Sequence, residues 1–66
     1  MKATVLVSHE SSLTRITPLT AEAREWLEDN CQWEEYQKIG GSYVSDRRMA
    51  GDIVAGMKEA GFEVEE

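Results

Sequence analysis

Pro18 constrains this chain more than any other residue. Its ring fixes its own φ and drives Thr17 into extended backbone, so a strand has to end there. Two residues later, Thr20 offers a hydroxyl to the free amides of a helical first turn. Glu22 follows near the positive end of the helix dipole. Ala23, Trp26, Leu27 and Cys31 then recur at i, i+3, i+4 and i+8, which is one helical face. The stretch from Ile16 to Leu27 therefore reads as a strand end, a turn and an N-capped amphipathic helix. The other segments can be placed against it.

That helix closes badly. Glu28 and Asp29 sit at the negative end of its dipole, and Glu25 and Asp29 are like charges at i, i+4. Each choice costs about 0.3–1 kcal/mol at an exposed site. An acidic solvated face explains them, and so does an acidic surface held for a partner.

The rest of the composition narrows the class. Sixty-six residues make one small domain over 1–66. A core that small leaves little margin over ordering entropy, so such domains often lean on a staple, a metal or a second subunit. Cys31 is the single cysteine, which excludes an intramolecular disulfide and fits a reducing, cytoplasmic setting. Its place on the apolar stripe marks it as a small buried hydrophobe. The apolar run from Ala3 to Val7 is too short for a signal core or a membrane span. A net charge of −6 argues against direct binding to nucleic acid or to an anionic membrane. A basic protein is the complementary partner.

Taken in order, Lys2 to Ser8 form a first strand with apolar groups on both faces, as in a strand interior to a sheet or covered on both sides. His9 to Ser12 are a polar break, and Leu13 to Thr17 a second strand paired as a hairpin with the first. The first helix runs from Ala21 to about Asn30. Residues Cys31 to Gly41 fit a helix extension, a strand through Trp33 or a loop, with Gly40-Gly41 as a turn. Tyr43 to Ser45 are a short strand.

Asp46 caps a second helix over Arg47 to Ala60, with an apolar stripe of Met49, Ile53, Met57 and Ala60. Gly51 and Gly56 inside it each cost up to ~1 kcal/mol, which implies close packing against the backbone there. Gly61 fits a left-handed helix end, with Phe62 at the apolar position of a Schellman motif, facing Met57. A last strand follows over Phe62 to Glu65, with Phe62 and Val64 inward. The expected fold is α+β: a small, mainly antiparallel sheet with two helices packed on one face, in the order β-β-α-β-α-β.

The series Ile16-Thr17-Pro18-Leu19-Thr20, Ala23, Trp26-Leu27, Asn30, Trp33, Asp52-Ile53-Val54, Gly56-Met57 and Gly61-Phe62 resembles a group of short bacterial and phage proteins that have no assigned activity. The resemblance covers most of Ser12 to Val64. It implies the same element order and a bacterial or phage origin, and nothing about catalysis. The chain departs from the pattern in the middle, where Glu34 to Ser42 lengthen the passage from Trp33 to the short strand.

Catalytic signals are sparse. His9 neighbours Ser8, Ser11 and Ser12, but adjacent serines on a turn supply neither a converging triad nor an oxyanion site. One histidine and one cysteine cannot build a structural zinc site, and Glu34-Glu35 lack calcium-loop spacing, so no metal or other cofactor is expected. No lysine-serine or lysine-threonine pair follows Gly40-Gly41, so that pair is not a phosphate loop. Arg47-Arg48 is the one basic cluster. It can pair internally, Arg48 with Asp52, or contact an anion.

From Glu22 to Gln37 six acids face a single base, Arg24, with Trp33 and Tyr36 among them. Trp and Tyr are common interface anchors. In this pattern Trp26 belongs to the core, Trp33 is half-buried and Tyr36 is exposed. The expected function is a non-enzymatic interaction module that binds a basic protein through Glu25, Asp29, Trp33, Glu34, Glu35 and Tyr36. A phage-encoded inhibitor of a host nucleic-acid-binding protein is a special case, because acids among aromatics can mimic nucleic-acid charge. A self-assembling homo-oligomer, such as a homodimer through the glycine-bearing helix, and an enzyme subunit or small-ligand binder are the alternatives.

Overall fold

The computed structural model describes residues 3–66. Lys2, the expected start of the first strand, lies outside the described residues. Strand β1 (Val5–Glu10) and strand β2 (Leu13–Pro18) form an antiparallel hairpin in which Val5 faces Pro18 and Glu10 faces Leu13. The polar break is therefore shorter than its composition suggests: only Ser11 and Ser12 turn. His9 and Glu10 stay in the ladder because His9 pairs with Thr14, whose hydroxyl lies 3.0 Å from His9 Nδ1.

Helix α1 (Ala21–Asn30) starts as expected, with Thr20 Oγ1 accepting from Ala23 N–H at 3.2 Å. It also ends as expected, at Asn30. Asn30 is still helical, and its side-chain amide donates back to the Trp26 carbonyl at 2.9 Å. The C-cap is Cys31, in extended backbone. The segment left open by the sequence folds as a 3-10 turn (Glu35–Gln37) and strand β3 (Lys38–Ile39). Gly40 and Gly41, both at positive φ, reverse the chain into strand β4 (Ser42–Asp46).

Helix α2 (Arg47–Glu59) is capped by Asp46 Oδ1, which accepts from Met49 N–H at 2.7 Å. Its C-terminus is a full Schellman motif: Gly61 N–H donates to Lys58 O at 3.1 Å and Phe62 N–H to Met57 O at 3.0 Å, with Gly61 at φ 97°. Strand β5 (Val64–Glu65) is shorter than expected. Phe62 stands outside it and packs edge-on to Trp26, with ring centroids 6.3 Å apart. The Schellman turn uses up the residues that would otherwise have extended the strand.

The sheet order is β3-β4-β2-β1-β5, antiparallel except for β1 beside β5. The fold is the expected α+β arrangement. Val5, Val7, Ile16 and Tyr43 point to one face and meet Ala23 and Leu27 of α1 and Ala50, Ile53, Val54 and Met57 of α2 in one core. Trp26, assigned to the core from sequence, is half-buried at its edge, against Gly56 of α2. Strand alternation turns Leu6, Leu13, Arg15, Thr17, Ile39 and Val44 to the opposite face. Among the described residues no α-helix covers that side.

Candidate interaction surface

The uncovered sheet face is built by pairing. Ile39 lies opposite Ser42, Thr17 opposite Leu6, and the Thr17 and Ser42 hydroxyls meet at 2.8 Å. That bond satisfies two hydroxyls of the outward row, one of them on the buried Ser42, and ties β2 to β4. Beside this row, Arg15 faces Val44, and Leu13 faces Asp46. The Arg15 Nε is shielded from solvent and lies 3.4 Å from Glu10 Oε2, an ion pair aligned too poorly for a hydrogen bond.

At the β3–β4 side the face deepens into a groove of about 370 Å³, lined by Leu13, Tyr36, Gln37, Ile39, Val44 and Asp46 among others. Leu13 and Ile39 are each 48% exposed and Tyr36 is 78% exposed. Three large apolar groups this open are thus gathered around one groove. Gln37 holds the groove wall. Its Nε2 donates to the Val44 carbonyl at 3.1 Å and its Oε1 accepts from Glu34 N–H at 2.9 Å. The 3-10 turn is thereby tied to β4, and Tyr36, between the two anchors, is presented outward.

The six residues expected at the interface fall into three places. Glu34, Glu35 and Tyr36 are exposed together at the groove turn. Trp33 turns inward: its indole N–H donates to the Leu27 carbonyl at 3.0 Å, and its ring lies 4.9 Å from that of Tyr43. Glu25 and Asp29 are exposed on α1, in the helix layer across the sheet from the groove. The sequence reading passed over Leu13, Ile39, Val44 and Leu6. Their signal was an apolar residue at an outward strand position, which has no meaning until the register is known.

Glu28, which the sequence marked only as a poor helix terminus, has a structural role. Its carboxylate accepts from Tyr43 O–H at 2.6 Å and pairs with Lys38 Nζ at 3.2 Å. The Tyr43 bond, and then Lys38, hold its pKa below the ordinary value. Burial, and then the same carboxylate, push the Tyr43 phenol up to about 12. The Cys31 thiol is free and half-buried, and burial pushes its pKa up, which disfavours the reactive thiolate. No ion pair joins Arg48 to Asp52 among the described residues; the basic groups that do pair are His9, Arg15, Lys38 and Lys58.

Among the described residues no three His, Cys, Asp or Glu side chains converge as metal ligands, and no helix is long and apolar enough to cross a membrane. Comparison with protein-family models, curated proteins and solved structures returns no match.

Proposed function

We propose that this chain is a non-enzymatic interaction module, and that it binds a basic protein partner across the open sheet face. The observation that carries this reading is Tyr36 standing 78% exposed over a groove that also exposes Leu13 and Ile39. In so small a domain, apolar side chains are withheld from the core only at a cost of burial free energy. Around them lie Glu10, Glu34, Glu35 and Asp46, all exposed, within a chain of net charge −6. Aromatic and aliphatic anchors then supply affinity, and the acidic rim supplies orientation and association rate. Glu25 and Asp29 act at longer range, through the field of the whole molecule. In a phage setting, the natural target of such a surface is the basic site of a host nucleic-acid-binding protein.

Affinity capture from bacterial lysate, with the captured protein then purified and titrated, tests this. The expected partner is basic, is released by salt, and loses binding to Tyr36→Ala and Leu13→Ser while tolerating Glu25→Lys. A partner indifferent to both groove substitutions but lost with Glu25→Lys and Asp29→Lys moves the interface to α1. Sedimentation that shows a dimer broken by Leu13→Ser assigns the face to a second copy of the chain instead.

A further inference from the structure

On the helix side of the sheet, the face opposite the groove, the chain builds a second concavity. It is a half-open depression of about 240 Å³ between β1, β2 and α2, with His9, Thr14, Arg47, Gly51, Lys58 and Glu66 among its walls. Its floor is apolar, including Val7 and Val54. Its polar groups are mostly cationic or hydrogen-bond donors, although the molecule is strongly acidic. Arg47 and Lys58 come from the two ends of α2, and His9 comes from β1. The buried Thr14 hydroxyl lies 3.0 Å from His9 Nδ1; when it donates there, Nε2 carries its hydrogen toward the cavity.

A carboxylate already sits among these groups. Glu66 Oε2 lies 3.1 Å from Lys58 Nζ, and Glu66 Oε1 lies 3.8 Å from His9 Nε2. The Lys58 bond holds the Glu66 carboxyl below its ordinary pKa. The chain's own carboxylate thus already meets the cations of this pocket, at a half-exposed position and loosely, because the His9 distance exceeds hydrogen-bond range. Gly51 is the second observation. A β-carbon there would meet nothing within 4 Å, so no neighbour requires glycine, yet a glycine inside a helix is destabilising. Its lack of a side chain keeps the cavity wall open.

We infer that this pocket binds the carboxylate of a small organic acid with a short apolar body, and that Glu66 is its internal occupant. The incoming carboxylate takes the place of the Glu66 carboxylate between Lys58 and His9, with Arg47 adding to the attraction. The apolar body lies over Val7 and Val54 in the space beside Gly51. The volume is below that of drug-sized sites, which limits the ligand to a few carbons.

The test is an NMR titration of the full chain, following the His9 imidazole and the Gly51 amide. The probes are sodium butanoate, sodium phosphate and sodium chloride at matched ionic strength. Butanoate is expected to give saturable shifts at both positions that chloride does not reproduce. Glu66→Gln removes the tethered competitor and is expected to tighten butanoate binding about tenfold. Lys58→Gln is expected to weaken it by about tenfold or more, the loss of a charge-assisted hydrogen bond. Gly51→Leu keeps every charge and fills the cavity, so it is expected to abolish binding while thermal unfolding stays cooperative. Shifts equal to those in chloride, unchanged affinity in Glu66→Gln, or binding that survives Gly51→Leu would each overturn the inference. Tighter binding of phosphate than of butanoate would overturn the assignment to carboxylates.

Discussion

The indole of Trp26 lies directly against the backbone of Gly56: a β-carbon at 56 would sit 3.1 Å from Trp26 Cη2 and 3.3 Å from Cζ2. This contact brings α1 and α2 together over the sheet. It also explains one of the two glycines in α2, whereas the other, Gly51, has open space above it.

The two glycines should therefore respond oppositely to alanine. Gly51→Ala is expected to stabilise the fold by about 0.5–1 kcal/mol through helix propensity alone. Gly56→Ala gains the same propensity but displaces an indole that is also braced by Phe62, and is expected to destabilise by about 1–3 kcal/mol. Urea unfolding of both variants checks this. In a Trp26→Leu background the Gly56→Ala penalty should shrink or change sign, which isolates the ring contact.

Tyr43 and Glu28 give the fold an alkaline and an acid limit. The Tyr43 phenol is raised from 10 to about 12 in the folded chain, so its contribution is fully present below pH 10 and is lost as pH rises towards 12. The Glu28 carboxyl is lowered, so its contribution is present above its ordinary value of 4.5 and is lost as pH falls. Stability measured across pH should fall less steeply above pH 10 in Tyr43→Phe than in the parent. It should fall less steeply on the acid side in Glu28→Gln. A Tyr43→Phe variant with an unchanged alkaline slope would show that the phenol is not held as described.

Trp33 and Tyr36, three residues apart, should separate stability from binding. Trp33→Phe removes the indole donor to the Leu27 carbonyl and is expected to cost about 0.5–1.5 kcal/mol. Tyr36→Ala, at an exposed position, is expected to leave stability within about 0.5 kcal/mol. In the captured complex the order reverses, with Tyr36→Ala raising Kd by about tenfold or more. Chemical denaturation and titration of the same two variants decide it.

The β3–β4 turn sets the groove's outer edge. Gly40 and Gly41 have φ of 54° and 83°, and Ile39 faces Ser42 across them. Gly41→Val is expected to cost about 1–2 kcal/mol, the penalty of a left-handed β-branched residue. Gly40→Asn should be nearly neutral, since asparagine tolerates that region. Because β3 is only two residues long, the Gly41→Val loss should appear first as faster amide exchange at Ile39.

Signals that act within one turn of chain were legible in the sequence. Pro18 ended a strand, Thr20 and Asp46 capped helices with the expected bonds, and Gly61-Phe62 closed α2 as a Schellman motif. The element order followed from these, because each depends on residues no more than a few positions apart. Cys31 to Gly41 were not legible, since the 3-10 turn there depends on Gln37 reaching the Val44 carbonyl in a strand not yet formed. The surface was not legible for the same kind of reason. Sequence placed the acids and the exposed Tyr36, but only the pairing of β2 with β4 turned Leu13 and Val44 to the uncovered face. A shift of one residue in that register would have sent them to the core side. The six candidate residues form one list along the chain, yet Trp33 is spent on the Leu27 carbonyl and the sheet stands between Glu25 and Tyr36. Local chemistry fixes caps and turns because its partners are neighbours. Which face stays open is decided by residues 25 or more positions apart, such as Thr17 and Ser42, and so by the tertiary structure alone.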